Sequence, residues 1–411
     1  MVITGHRSES AGARANPSLV ALNPLFASKT QAPILPRPHL SRPGLLGALK
    51  QSTRRRVTLV AAPAGAGKTM LLADFVRPLA RASYWYTIDE LDDSAEAFLH
   101  GLSIALGHPG SGSPHRLGCL AQIVETLGRT SEQHLVVLDD VHRLTEPSAS
   151  RALADLIRYL PPSARLILLG RAAPAGTEPI LDWLATQNQL ARLNWSHFQL
   201  TDAERSQASA IFKSTTSGGW ILGWAQPDGL DLARYLQREV LAALDAPVVE
   251  ILSRLSIVPS FDPRLAAATT GLPEIEATRL LRRIAAETPL LEASSRETYR
   301  FSETARDVLG GLLSAAEIQS ARRAAGHAMR DLAPLHSAEC FLASGDRLEA
   351  ARSLAKLPAS DWLSQSSNPS HDALQKLTFD DIPDQPELVL AKAWAMIVWR
   401  DETDAAERVM S

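Results

Sequence analysis

Cysteine, lysine and long apolar runs are scarce in this sequence. The two cysteines, Cys119 and Cys340, lie far apart in a chain of 411 residues. That excludes a disulfide framework and fits a reducing, cytoplasmic setting. No stretch approaches the ~18 consecutive apolar residues of a membrane-spanning helix, so no membrane partner is expected. An excess of one charge is missing too: 42 Lys+Arg against 45 Asp+Glu leave a net charge of −3. A chain built to grip nucleic acid would be strongly basic, so no direct DNA contact is expected from it. With lysine scarce, the positive charge is nearly all arginine, a bias read as compositional because no segment concentrates it. What is present is ordinary for a folded chain, 45% hydrophobic and 21% charged residues, and the length requires two to four domains.

Residues 1–28 are rich in Ser, Ala, Gly and Asn without a sustained period and read as a disordered tail. Their apolar Leu19–Leu22 run is too short for a signal-peptide core. Pro33, Pro36, Pro38 and Pro43 then rule out a helix and predict an extended strap into the first folded element.

The strongest signal follows. Val57–Ala61 is a short apolar run of the kind a doubly covered strand shows. It leads into Ala62-Pro63-Ala64-Gly65-Ala66-Gly67-Lys68-Thr69 and a helical Met70–Val76. Strand, glycine loop, Lys-Thr and helix in that order predict a phosphate loop. The glycines let backbone amides curl around an anion, and the helix N-terminus adds partial positive charge. Lys68 is expected on the β- and γ-phosphates of ATP or ADP, and the Thr69 hydroxyl on Mg²⁺. Ala62 stands where the general pattern has its first glycine. A second strand, Leu135–Leu138, ends in Asp139-Asp140. Asp139 is expected to hold the Mg²⁺ from the tip of a neighbouring strand, and Asp140 to orient an attacking water. Arg171, after the strand Arg165–Leu169, is the candidate sensor of the γ-phosphate. The acidic Asp89–Asp93 reads as a loop and helix cap rather than a metal site, Gly107–Pro114 as a surface loop, and His142 as strand-end packing or part of a hydrogen-bond network.

The set Arg42-Pro43, Ala62–Thr69, Trp85–Asp93, Leu135–His142, Leu166–Pro174 and Leu200–Glu204 resembles the MalT-like regulators, STAND-class ATPases of the LuxR family, over about residues 29–411. The resemblance implies an α/β P-loop NTPase domain (parallel sheet flanked by helices) at 29–205 and a helical segment at 206–246. A winged-helix domain at 247–312 and TPR-like helical repeats at 313–411 would follow. It further implies an ADP-bound resting monomer that an inducer, a small molecule or a protein, and ATP open for self-association. Two places depart from the family. Gly218-Gly219-Trp220 is followed by Ile221 where the family has proline, and Ser302 replaces a histidine that would reach nucleotide phosphate.

Other readings come from the residues alone. Val248–Ile257 and Pro273–Ala286 have helical spacing, and Leu290–Phe301 reads as a hairpin with a Ser294-Ser295-Arg296 tip. Leu342–Leu354 recurs weakly as Ile397–Val409, with small residues where paired helices would touch. An apolar helix at the end of the sequence, with no helix-turn-helix after it, reads as a superhelix cut short. The expected function is therefore a switch in transcription regulation with slow ATP hydrolysis. The alternative is a turnover P-loop ATPase or kinase, which would need an acceptor pocket and an arginine-rich lid.

Overall fold

Four consecutive buried residues open Val57–Ala61, a pattern only a strand covered on both faces accommodates. In the computed structural model this is β1 of a five-stranded parallel sheet. The others are β2 (Ser83–Thr87), β3 (His134–Asp139), β4 (Ala164–Gly170) and β5 (Leu190–Leu193), in the order β2-β3-β4-β1-β5. In the register, Val57 pairs with Leu166 and Leu190, and Thr87 with Asp139. The structure describes residues 24–79, 83–108, 116–129, 133–213, 219–225, 231–293, 297–358, 369–382 and 386–400. They fall into two compact units, 1–214 with 220–224 and 215–219 with 225–411.

In the first unit Leu59, Val136, Leu138, Leu166 and Leu168 share one face of the sheet. They pack against Phe98, Leu102, Ile123, Leu153 and Leu156 of the helices Ala95–Ala105, Arg116–Gly128 and Pro147–Tyr159. The first of these helices is capped by Ser94, whose hydroxyl accepts the Ala97 N–H, rather than by the acidic run, which folds as the short turn Glu90–Asp92 under its own cap, Asp89.

The expectation of a disordered 1–28 is corrected at its end, because Pro24–Lys29 is a helix. Six residues carry no period to read; one cation holds the helix instead. Lys29 Nζ donates to Asp89 at 2.9 Å and to Asp92 at 2.5 Å, and the Tyr86 hydroxyl donates to Asp92 at 2.6 Å. Residues 1–23 lie outside the described residues. The proline strap is free of helix as expected, though it bends at 37–38, and ends at Arg42, whose Nε and Nη2 fork onto Glu204 at 2.8 and 3.1 Å. Its Nη1 donates to the Phe198 carbonyl at 2.9 Å. Two motifs at opposite ends of this unit are thus one contact.

The expected boundary at 205/206 falls inside the helix Asp202–Phe212, and Trp220–Trp224, counted with the helical segment, belongs to the first unit.

The second unit holds the helices Ala246–Leu255 and Glu274–Glu287 where helical spacing predicts them. A short alanine-rich helix, Pro263–Thr270, which the spacing did not reveal, lies between. β6 (Leu291–Ala293) and β7 (Tyr299–Phe301) form the hairpin, with Glu292 opposite Arg300; its tip lies outside the described residues. Phe261 extends the hairpin by a bridge to Tyr299 and packs on Phe301 with ring centroids 5.3 Å apart.

From Ala315 on, the described residues are largely helical: Ala315–Met329, Pro334–Ala343, Arg347–Leu354, Pro369–Gln375 and Pro386–Arg400. Small residues sit at the contacts. Ala350 and Ala351 are buried, and a Cβ on Gly326 would press on the Phe341 ring at 2.9 Å. Most of the second copy of the weak repeat lies outside the described residues.

Candidate nucleotide site

The loop between β1 and the helix Lys68–Val76 is shaped by its glycines. Gly65 and Gly67 have φ of 72° and 84°, a region that a side chain makes costly. Gly67 caps the helix start, so the amides after it point outward without intrahelical partners, as anion binding requires. Ala62 and Ala64 are buried beside them. Ala66 donates its N–H to the Pro63 carbonyl at 3.3 Å, closing the turn. Lys68 lies over its own loop, donating to the carbonyls of Ala62 at 2.7 Å and Pro63 at 3.0 Å. Burial lowers its pKa to about 8, against the opposing pull of Asp140 and Asp139. At neutral pH it is still a cation, and a loosely stabilised one.

β3 delivers the carboxylates. Thr69 Oγ1 donates to Asp139 Oδ1 at 3.3 Å across 70 residues of sequence. The expected neighbouring strand is corrected: β4 lies between β1 and β3. The two tips meet because each runs past its strand end, Thr69 on the first turn of a helix and Asp139 as the last residue of β3. Asp139 is 2% exposed. Burial first, and then the charge of Asp140, push its pKa up to about 6, despite hydrogen bonds from Thr69 and the Asp140 N–H. Asp140 turns into the left-handed region at φ 59°, and its carboxylate lies 3.8 Å from both Arg143 Nε and His142 Nδ1.

Arg171 follows directly on β4, the strand between the two tips. Its charge lowers the pKa values of both Lys68 and His142, so it belongs to the same electrostatic group. His142 itself is driven down to about 4, mainly by burial, and is neutral at physiological pH. Its Nδ1 is buried with no hydrogen-bond partner, so of its two expected roles packing fits and a hydrogen bond through Nδ1 does not.

Reasoning from sequence missed one neighbour. Trp220 Nε1 donates to the Ala64 carbonyl at 3.1 Å, and a Cβ on Gly65 would lie 2.7 Å from Leu222 and 2.8 Å from the Trp220 ring. The segment after Gly219 therefore rests on the phosphate loop. The only signal was the Gly-Gly-Trp string, which gives no partner.

These residues fit a nucleotide with Mg²⁺. Outward amides and a lysine suit phosphate oxygens, and a hydroxyl beside a buried, reluctantly ionised carboxylate suits a hard cation. Among the described residues no three His, Cys, Asp or Glu side chains group to hold a metal by themselves. No helix among them is long and apolar enough to cross a membrane.

Residues 51–172 match the AAA domain, and residues 237–321 match the MalT winged helix domain, which encloses the expected 247–312. Among solved structures the chain is similar to a STAND protein with a tetratricopeptide repeat sensor from Pyrococcus horikoshii. Identity there is 15% and the TM-score 0.35, over 92% of this chain. It is also similar to the Aeropyrum pernix ORC1 protein in complex with DNA, at 13% identity and TM-score 0.33, over 67% of this chain and 94% of that one. A third is Drosophila ORC bound to poly(dA/dT) DNA and Cdc6, at 13% and 0.29, over 89% and 65%. The chain spans 59% of the length of the Pyrococcus protein. Its architecture is thus an AAA-type P-loop domain, a MalT-type winged helix and a largely helical remainder, and nucleotide binding is what the first of these implies.

Proposed function

We propose that this chain is the ATP/ADP-controlled switch of a MalT-like transcriptional regulator, with slow hydrolysis setting how long the active state lasts. The observation that carries the reading is the 3.3 Å approach of Thr69 and Asp139 beside a glycine loop bearing Lys68, all within one folded unit. Lys68 gives up the Ala62 and Pro63 carbonyls for phosphate oxygens, exchanging two neutral acceptors for charged ones. Thr69 and Asp139 hold Mg²⁺, which when bound neutralises charge on the β- and γ-phosphates. Asp140 orients the water, and Arg171 reports the γ-phosphate from the tip of β4.

Trp220 supplies the mechanical link. A loop that rearranges around phosphate moves the Ala64 carbonyl, and with it the segment 220–224. Such a two-position element, biased by one ligand group, is what a switch requires. Self-association in the ATP state, and transcriptional output through a DNA-binding domain or partner, complete the proposal.

Steady-state ATP turnover tests it. The expected rate is well below the roughly 1–100 s⁻¹ of kinases, with Lys68→Ala reducing calorimetric ATP and ADP affinity by at least about a hundredfold. Turnover within that range, or phosphate transfer to an acceptor, replaces the switch by a turnover enzyme. Unchanged affinity in Lys68→Ala removes the site.

A further inference from the structure

The amino ends of the same strands carry a second basic site that the nucleotide reading does not use. Arg54, Arg55 and Arg56 stand directly before β1, and Arg165 is the second residue of β4; parallel pairing of the two strands brings them together. With Leu160, Pro162, Asn188 and Gln189 they line a cavity of about 320 Å³, at the lower end of small-molecule sites. None of the eight is acidic. Each inner guanidinium is anchored on backbone carbonyls rather than on carboxylates. Arg55 Nη1 donates to Asn188 at 2.7 Å, and Arg56 Nη2 to Leu160 at 2.6 Å and Arg158 at 3.1 Å. Arg165 Nη1 donates to Pro162 at 2.8 Å and Ala164 at 2.9 Å.

Neutral carbonyls hold these side chains in place, and among the described residues no carboxylate pairs with them. Burial, and then the charge of Arg165, lower the pKa of Arg56, so the two guanidinium groups repel. Folding concentrates four like charges around one concavity, an arrangement that a ligand with several negative charges stabilises. Guanidinium forks match phosphate oxygens in pairs, which a compact ammonium does not. We infer that this cavity binds a small phosphate-bearing anion, at the opposite end of the sheet from the phosphate loop. The five residues of β1 separate the two by roughly 16 Å at ~3.3 Å per residue. The concave shape, with Leu160 and Pro162 as an apolar wall, favours a small molecule over a nucleic-acid backbone, which would track an extended basic stripe.

The test is calorimetric titration of inorganic pyrophosphate into Lys68→Ala protein, where the phosphate loop contributes nothing, and into the same protein with Arg54→Glu or Arg165→Gln added. The expected result is saturable one-site binding, weakened at least tenfold by each added substitution. Arg54 is exposed, so its variant keeps the fold if Arg165→Gln does not; thermal unfolding checks both. Absence of saturable binding overturns the inference, as does binding that both variants retain. Short duplex DNA that occupies the same arginines while pyrophosphate does not would also overturn it, in favour of a nucleic-acid surface.

Discussion

Two pairs of carboxylates stand at the tips of adjacent strands, and they are built oppositely. Asp89 and Asp92, after β2, share Lys29, and Asp92 also accepts from Tyr86. Burial works upward on Asp89, yet the bond from Lys29, with help from the Leu91 N–H, holds it below the usual carboxylate range. Asp139, after β3, receives only a hydroxyl and one N–H and is pushed up to about 6. Composition does not separate the pairs; a directly bound lysine does, since Asp140 meets Arg143 Nε only at 3.8 Å and, among the described residues, Asp139 accepts from no cation. The pair with its own lysine stabilises the fold, while the other keeps its charge at a cost that an incoming cation can offset.

Substitutions at the two pairs should therefore act in opposite directions. Lys29→Ala leaves buried Asp92 without its counter-ion and should cost about 3–5 kcal/mol in chemical denaturation. Asp139→Asn removes a reluctant charge while its amide oxygen can still accept from Thr69. It should stabilise the nucleotide-free protein by about 1–3 kcal/mol and abolish the Mg²⁺ dependence of nucleotide affinity. A loss of stability in Asp139→Asn would end the contrast.

Acidity sharpens the same comparison. Because the folded pKa of Asp139 lies above its unfolded value near 3.8, its contribution to stability is full below about pH 4. It is lost as pH rises through about 6. Thermal midpoints of the nucleotide-free protein should show that loss, and Asp139→Asn should not. Mg²⁺-dependent binding should rise across the same window as the carboxylate ionises. A smaller effect is expected from Trp220→Phe, which keeps the ring and deletes the bond to Ala64, at about 1 kcal/mol. Last, with Ser302 in place of a phosphate-reaching histidine, nucleotide released on denaturing purified protein should be well below one ADP per chain.

The phosphate loop was legible in the sequence because its chemistry is local: strand, glycines, Lys68, Thr69 and helix are contiguous. Asp139 was legible as an acidic strand end, though not the strand between it and the loop, since spacing along the chain does not report sheet order. Lys29 and Trp220 escaped for another reason. Each acts through long-range bonds, Lys29 through two and Trp220 through one, and a single residue far from its partners leaves no pattern. The arginine bias shows the reverse failure. It reads as diffuse although Arg54–Arg56 stand in a row, and what the sequence hides is only that pairing of β1 with β4 adds Arg165 to them in one cavity.

Strand order also bears on how the molecule is made. β1 is the first strand to leave the ribosome, but its partners in the sheet are β4 and β5, the last two. The nascent glycine loop must wait for more than a hundred further residues before its strand is flanked, and Arg42 waits longer for Glu204. Pairings this distant in sequence close slowly. Nucleotide capture during synthesis would then mark completion of the domain, with no earlier fragment competent to bind.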